Sequence, residues 1–560
     1  MTISTARLQR TSANLLRDRL VVLLVIVLVI GIAFRFVNLD TKVYWHDETR
    51  TSLRIAGYRV SDLTGQLFNG HEISPLEFKR FQHINPDRNI LHTFISLGAN
   101  DPKHPPLYYG LLRIWTQFVG DAIAQVRALS AVLSLFAFPC LYWLCRELFR
   151  SHRVAQVGCL LLAVSPFQVL YAQEAREYAL WTVTILLSSA VFLRAIRLQT
   201  RQSWLWYGAT VALSLYSFTL SVLVILVHGV YLLGTGIYWR NTPSSERLSE
   251  RSSERLTDRA IGFRLPAIWK NYWLAVGAGC LAFVPWAILI VLRFDQLRGN
   301  TRQLFDEKEY TSLVYDWFFG ISSLFFDPNG AIFTGKLTQH SLWDYVMRLP
   351  VIVLIVYSLY FLCKTTSKSI WLLPLSLIGV QVITMMIPDL LFKIQMSEVP
   401  RYLIPLYLGI HLAVSYMFAS VIFNHHRTLQ TWWRLIFVVL ISAGIFSCFV
   451  SSQATSWWNK GSSFYHPAIA TIINQTERPL LISNSRGTNS GNLVSLSYLL
   501  NPTSRLLLVT DAELPAIPTG YSDIFVYNPN TALRHVLQPQ YESVPVHEPG
   551  KLWKLVPKQT

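Results

Sequence analysis

"LVVLLVIVLVIGIAFRFVNLDTKVYWHDETR", Leu20 to Arg50, decides the fold class. Its first part, Leu20–Val37, is apolar on every side apart from Arg35, and long enough to cross a hydrocarbon core of roughly 30 Å. No small-residue cleavage site precedes "VNLDTKVYW", so the stretch reads as a permanent anchor. Its second part leaves the membrane and almost at once presents two adjacent carboxylates, Asp47 and Glu48. A carboxylate at a bilayer surface is unfavourable unless something there requires it.

The rest of the chain has the same character. Of 560 residues, 52% are hydrophobic and 14% charged, where a soluble domain carries about 25% charged residues. The net charge of +17 comes from Lys and Arg gathered at the ends of apolar segments rather than on one soluble face, so nucleic acid is not the expected partner. Cys140, Cys145, Cys159, Cys280, Cys363 and Cys448 lie in or beside apolar stretches without CxxC spacing, so neither a disulfide framework nor a zinc site is indicated.

Hydropathy predicts about eleven transmembrane helices, at 20–37, 125–147, 154–171, 178–196, 203–218, 220–239, 271–292, 345–363, 369–390, 402–423 and 434–452. The flanking charges orient them. Arg7, Arg10, Arg17 and Arg19 place the N-terminus in the cytoplasm. Alternation then puts "CRELFRSHR", "RAIRLQTR", a loop at 240–270, "KTTSK" and "HHR" on the same side, and all are basic. The Ser/Glu/Arg-rich near repeat at Ser244–Arg259 reads as a mobile loop. Residues 1–452 are thus expected to form a multi-pass domain in the cytoplasmic membrane, with outer loops at 38–124 and 293–344. Residues 453–560 are expected outside. There "PLLISN", "RLLLVTD", "DIFVYN", "YESVPVHE" and "KLWKLVP" read as strands and "SGNLVSLSYLL" and "TALRHVLQ" as helices, a small α/β accessory domain.

This threading brings three polar groups to one outer surface. They are Asp47–Glu48, "YAQEAREYAL" with Glu174, Arg176, Glu177 and Tyr178, and "SEVPRYLIP" with Glu398, Arg401 and Tyr402. A carboxylate held there could act as a general base toward an acceptor hydroxyl. Arginine suits a phosphate, because its planar fork donates paired hydrogen bonds and stays charged. "KHPPLYYGLLRIW" reads as an amphipathic helix on the membrane surface, with Lys103 and His104 at its anion-attracting N-terminal end. Each motif also has a plain reading: an interfacial Trp, an anchoring Arg, a solvated acidic turn.

Taken in order, "DE" after the first span, "HPPLYYGLLRIW", "VRALSAV", "SPFQVLYAQEAREYAL" and "PRYLIPLY" resemble the GT-C superfamily of membrane glycosyltransferases. The likeness is to the bacterial branch related to protein O-mannosyltransferases and lipid A aminoarabinose transferases. It implies a sugar donor on a polyprenyl-phosphate carrier and a lipid, glycan or protein acceptor outside the cytoplasmic membrane. The family's catalytic acid maps onto Asp47, with Glu48 beside it, and the second outer turn onto Glu174 and Arg176. Arg176, Arg401, Lys103 and His104 are then the donor-phosphate candidates, and Glu174, Tyr178 and Tyr402 position substrate. The resemblance fixes no cofactor, and metal dependence is open. Whether Glu48 or Glu174 holds a divalent cation is left open by the spacing. The large inserted β-rich domain of the eukaryotic protein mannosyltransferases is missing. An envelope polysaccharide polymerase or ligase would place its key groups in a late loop, and a transporter or flippase in mid-span.

Overall fold

The computed structural model describes residues 22–241, 256–328, 342–423, 427–510 and 516–558. The basic N-terminal segment, "HHR" save Arg427, and residues 242–255 of the expected loop at 240–270 lie outside them; from residue 256 on that loop, with the last four residues of its near repeat, is instead the start of the helix Leu256–Leu292. Helices occupy each of the eleven apolar segments. Among the described residues, seven are long and apolar enough to cross a membrane, or eight if the bent pair His152–Ala163 and Pro166–Ala172 is one span. Val22–Phe36 and Ser221–Ile237 are apolar but shorter.

Burial sorts these helices. In Tyr178–Leu198 and Pro400–Ile422, 89% and 83% of the most apolar stretch is buried, against 28% in Leu265–Leu292 and in Leu342–Thr365. The first two form the centre of the bundle, and the others turn apolar side chains such as Leu281 and Val353 outward. An apolar helix surface needs no protein cover when lipid is its solvent. Tyr178 opens one central helix and Arg401 lies in the first turn of the other, so both start at the same polar cluster.

Close helix crossings rest on glycine. A Cβ on Gly31 would clash with the carbonyl oxygen of Ala163, and one on Gly444 would come 2.5 Å from that of Val164. Two helices thus pinch the backbone where the His152–Ala163 helix ends.

Pro106–Val119 forms as expected, but Arg113 points inward, donating to the carbonyls of Ile55 (2.6 Å) and Asn85 (3.3 Å). Leu111, Ile114 and Phe118 point outward, Phe118 being 84% exposed. An apolar outer face suits a helix lying on lipid.

The tail forms the expected strands and helices. They enter one six-stranded sheet with β1 (Asn69–Ile73), β2 (Pro479–Asn484), β3 (Arg505–Val509), β4 (Asp523–Tyr527), β5 (Tyr541–His547) and β6 (Leu552–Pro557). The order is β1-β3-β2-β4-β6-β5, with β3, β2 and β4 parallel. The edge strand β1 comes from the loop that follows the first apolar helix and pairs antiparallel with β3. The tail is therefore stitched to the loop that carries Asp47.

Candidate active site

The broken span builds the site. Pro166 has no N–H for the carbonyl of Leu162, and Phe167 N–H turns instead to Ser323 O (3.2 Å). Arg35, the lone charge of the first apolar stretch, donates to the two freed carbonyls, Ala163 O (2.9 Å) and Leu162 O (3.0 Å). After the 62° bend, Pro166–Ala172 delivers the turn Gln173–Glu177. Gln173 Nε2 donates to Phe34 O (2.7 Å) and Val37 O (2.9 Å), fixing the turn to the end of the first helix.

Asp47 and Glu48 lie in the first turn of the helix His46–Ile55, where its dipole favours carboxylates. Adjacent helical residues point about 100° apart, and here they part company. Glu48 turns inward and is fully buried. Arg127 grips it bidentately at 2.7 and 2.6 Å and donates its remaining N–H groups to the carbonyls of Leu39, Lys42 and Val43. All five donors of the guanidinium are used. Glu48 also accepts from Ala175 N (2.9 Å) and lies 3.5 Å from Lys460 Nζ. It ties the loop after the first apolar helix, the helix His46–Ile55 and the turn together.

Asp47 faces the other way, with its side chain 23% exposed. Arg401 Nη2 lies 3.5 Å from Oδ2, and His46 Nε2 3.2 Å from Oδ1. Burial alone would raise the pKa of Asp47, but His46, Arg176 and Arg401 outweigh it and hold the carboxyl well below its usual range. Asp47 is an ionised carboxylate at neutral pH.

Arg401 sits among the rings of Trp45, Tyr178 and Tyr402, 5.3–5.6 Å from each centroid, and its side chain is 16% exposed. Arg176 is deeper. It donates to Tyr109 Oη (2.9 Å) and Thr51 Oγ1 (3.4 Å), and contacts His104 (3.2 Å) and Glu177 (3.4 Å). His104 pairs with Glu177 (2.5 Å) and Asp101 (3.4 Å), and Lys103 lies 3.8 Å from Asp101 at the more open rim. Burial lowers the pKa of His104 in spite of Glu177 and Asp101. Tyr402 packs against Phe218, beside the same cluster.

Asp47, Arg176, Arg401, Tyr178, Tyr402, His104 and Lys103 are thus brought together. Glu48 and Glu174 lie beneath them, with Glu174 fully buried against Asn459 and Lys460. Sequence reasoning missed Arg127, although it lies in the quoted "VRALSAV". It also missed Asp101, Arg54, Asn459 and Lys460, and only a charge opposite each would have signalled them. Among the described residues no three His, Cys, Asp or Glu side chains are grouped to hold a metal. The Nε atoms of Arg176 and Arg401, His46 Nδ1 and Trp45 Nε1 are buried without a hydrogen-bond partner among those residues.

Residues 103–246 match the family model described as dolichyl-phosphate-mannose-protein mannosyltransferase. Among solved structures, the chain is similar to ArnT from Cupriavidus metallidurans bound to undecaprenyl phosphate, at 13% identity over 96% of this chain and 97% of that one, with a TM-score of 0.48. It is also similar to the Archaeoglobus fulgidus oligosaccharyltransferase tethered to an acceptor peptide, at 13% identity over 86% and 64%, with a TM-score of 0.46. A search of curated proteins gives no match. The chain is a multi-pass membrane protein, and its residues 103–246 resemble the protein mannosyltransferase family.

Proposed function

We propose that this chain transfers a sugar from a polyprenyl-phosphate carrier to an acceptor hydroxyl at the outer face of the cytoplasmic membrane. One observation carries the reading: an ionised Asp47 faces Arg401 where the two central helices begin. The mannosyltransferase family match supports the same class of chemistry. The carrier's tail stays in the bilayer, so its phosphate and sugar meet the protein at this level. The unpaired donors of Arg176, Arg401 and Trp45, with the unpartnered Nδ1 of His46, suit a polar ligand.

In the proposed step Asp47 takes the acceptor's proton as its oxygen attacks the anomeric carbon. The bond to the phosphate oxygen breaks, that oxygen keeps the electron pair, and the configuration inverts. The carrier leaves with one more negative charge, met by Arg401 directly and by Arg176, Lys103 and His104 around it. The same cations that depress Asp47 would turn to the phosphate, raising the proton affinity of the carboxylate as the donor binds. Glu174, Tyr178 and Tyr402 hold the frame in which the sugar sits.

Arginine-to-lysine exchange tests the phosphate assignment, because lysine keeps the charge but loses the paired donors. An anchoring residue would tolerate it, since lysine also reaches the head groups. Arg401→Lys should weaken donor binding about 10–100-fold, the worth of a charge-assisted hydrogen bond. Arg176→Lys should reduce rate more than affinity, because Arg176 is already held by Tyr109 and His104. Carrier-phosphate binding and transfer rates for both variants check this, and parent-like values would return the arginines to anchoring.

The orientation has its own test. In a cysteine-free background, Thr519→Cys should react with an impermeant thiol reagent in spheroplasts and Ser252→Cys should not. Equal labelling would refute an outer site.

A further inference from the structure

Beneath Asp47, a lysine occupies the place where two carboxylates would bind a divalent cation. Lys460 Nζ lies 3.0 Å from Glu174 Oε1 and 3.5 Å from Glu48 Oε2, with its side chain 1% exposed. Glu174 and Glu48 are the acids that sequence reasoning left open as metal ligands.

The segment carrying Lys460 is clamped on both sides. Before it, the indoles of Trp457 and Trp458 donate to Asp327 Oδ2 at 2.9 and 2.8 Å, and Asp327 also pairs with Arg348. After it, Ser463 Oγ accepts from His46 N (3.1 Å), capping the helix that bears Asp47. Gly461 has φ 51° and lies 3.8 Å from Trp45 at its Cβ position, a backbone shape that glycine adopts without strain. Asn459 donates to Glu174 beside the lysine.

Charge balance agrees with geometry. Glu48 and Glu174 are matched by Arg127 and Lys460, so no further cation is needed. Nearby Lys42, donating to Gln173 Oε1 (3.1 Å), has its pKa lowered to about 7, by burial first and then by Lys460 and Arg127. A further positive charge is already disfavoured there. A divalent ion would meet the same repulsion and would have to expel Lys460.

We propose that Lys460 is the resident counter-ion of this centre, a positioning residue that takes a divalent cation's place between Glu48 and Glu174 and makes transfer independent of metal. It ties the Gln173–Glu177 turn to the catalytic helix, so the tail completes the active site. Removing the ammonium would leave Glu48 Oε2 with Arg127 alone, Glu174 Oε1 with Asn459 alone and Glu174 Oε2 without a partner among the described residues, so that a cation could take the lysine's place between the two carboxylates. The role in transfer rests on the proposed glycosyl transfer, but occupancy of the cation place does not.

The test compares the purified full chain with Lys460→Met and Lys460→Arg, by Mn²⁺ binding in electron paramagnetic resonance and by transfer. The parent should keep its rate in EDTA. Lys460→Met should lose kcat by up to about a hundredfold, as a displaced catalytic frame does, with donor KM little changed. It should gain a bound Mn²⁺ that a further Glu174→Gln change removes, and Mn²⁺ should restore part of its rate. Lys460→Arg should stay metal-independent, which separates the counter-ion role from misfolding. A parent stopped by EDTA and restored by Mn²⁺, or a Lys460→Met rate equal to the parent's, would overturn the proposal. If no polyprenyl-phosphate donor is used at all, the transfer reading falls alone. Mn²⁺ binding still decides the lysine, since a parent binding Mn²⁺ as well as Lys460→Met does contradicts it.

Discussion

Asp47→Asn should abolish transfer while leaving the fold and carrier binding in place. Asparagine keeps the shape of the side chain and can still face Arg401 and His46 at 3.5 and 3.2 Å, but it has no carboxylate to take the acceptor's proton. General-base assistance is typically worth about 10²–10⁴-fold, and the loss should fall on kcat. The variant should bind carrier phosphate at least as well as the parent, because a negative charge facing the arginines is gone. Single-turnover transfer and carrier binding, measured on the same preparation, separate the two effects. A near-parental rate would remove Asp47 from the role of base.

The second large effect is structural. Arg127→Met should destabilise the chain by about 3–5 kcal/mol, the usual result of removing one partner from a buried ion pair. Glu48 would keep Ala175 N–H and the more distant Lys460, but the carbonyls of Leu39, Lys42 and Val43 would lose their donor. The loop from the first span to the catalytic helix would loosen, and Asp47 with it. Unfolding in mixed micelles should show the loss at every donor concentration. Glu48→Gln should be milder, since glutamine still accepts from Arg127. Parent-like stability in Arg127→Met would mean that the loop is held by packing alone.

Much of this arrangement is legible in the sequence, for identifiable reasons. The strands of the tail announce themselves by short apolar runs between turn residues, and all five form. The convergence of Asp47, Arg176 and Arg401 follows from counting apolar segments, because each motif abuts a segment end. The partners of buried charges are less accessible. "WWNKGSSF" holds one unremarkable lysine, and nothing local says that Lys460 closes on Glu48, 412 residues earlier. Two adjacent acids look equivalent until helical phase sends Glu48 to Arg127 and leaves Asp47 open. Arg35 looks like a blemish in an apolar stretch, and its use appears only once Pro166 has broken another helix. β1 was invisible because "NGHEI" is polar and lies on a sheet edge, where no alternation is imposed. In Pro106–Val119 the amphipathic period is legible, with the apolar side outward as a helix on lipid requires, but the carbonyl partners of Arg113 are not.

The most direct test is a cryo-electron microscopy structure of the full chain with a polyprenyl-phosphate sugar in a lipid nanodisc. The phosphate should lie within hydrogen-bond reach of Arg401, with Arg176 behind it and the sugar's anomeric carbon turned toward Asp47. A donor phosphate bound elsewhere, with Arg401 still paired to Asp47, would contradict the proposed active site.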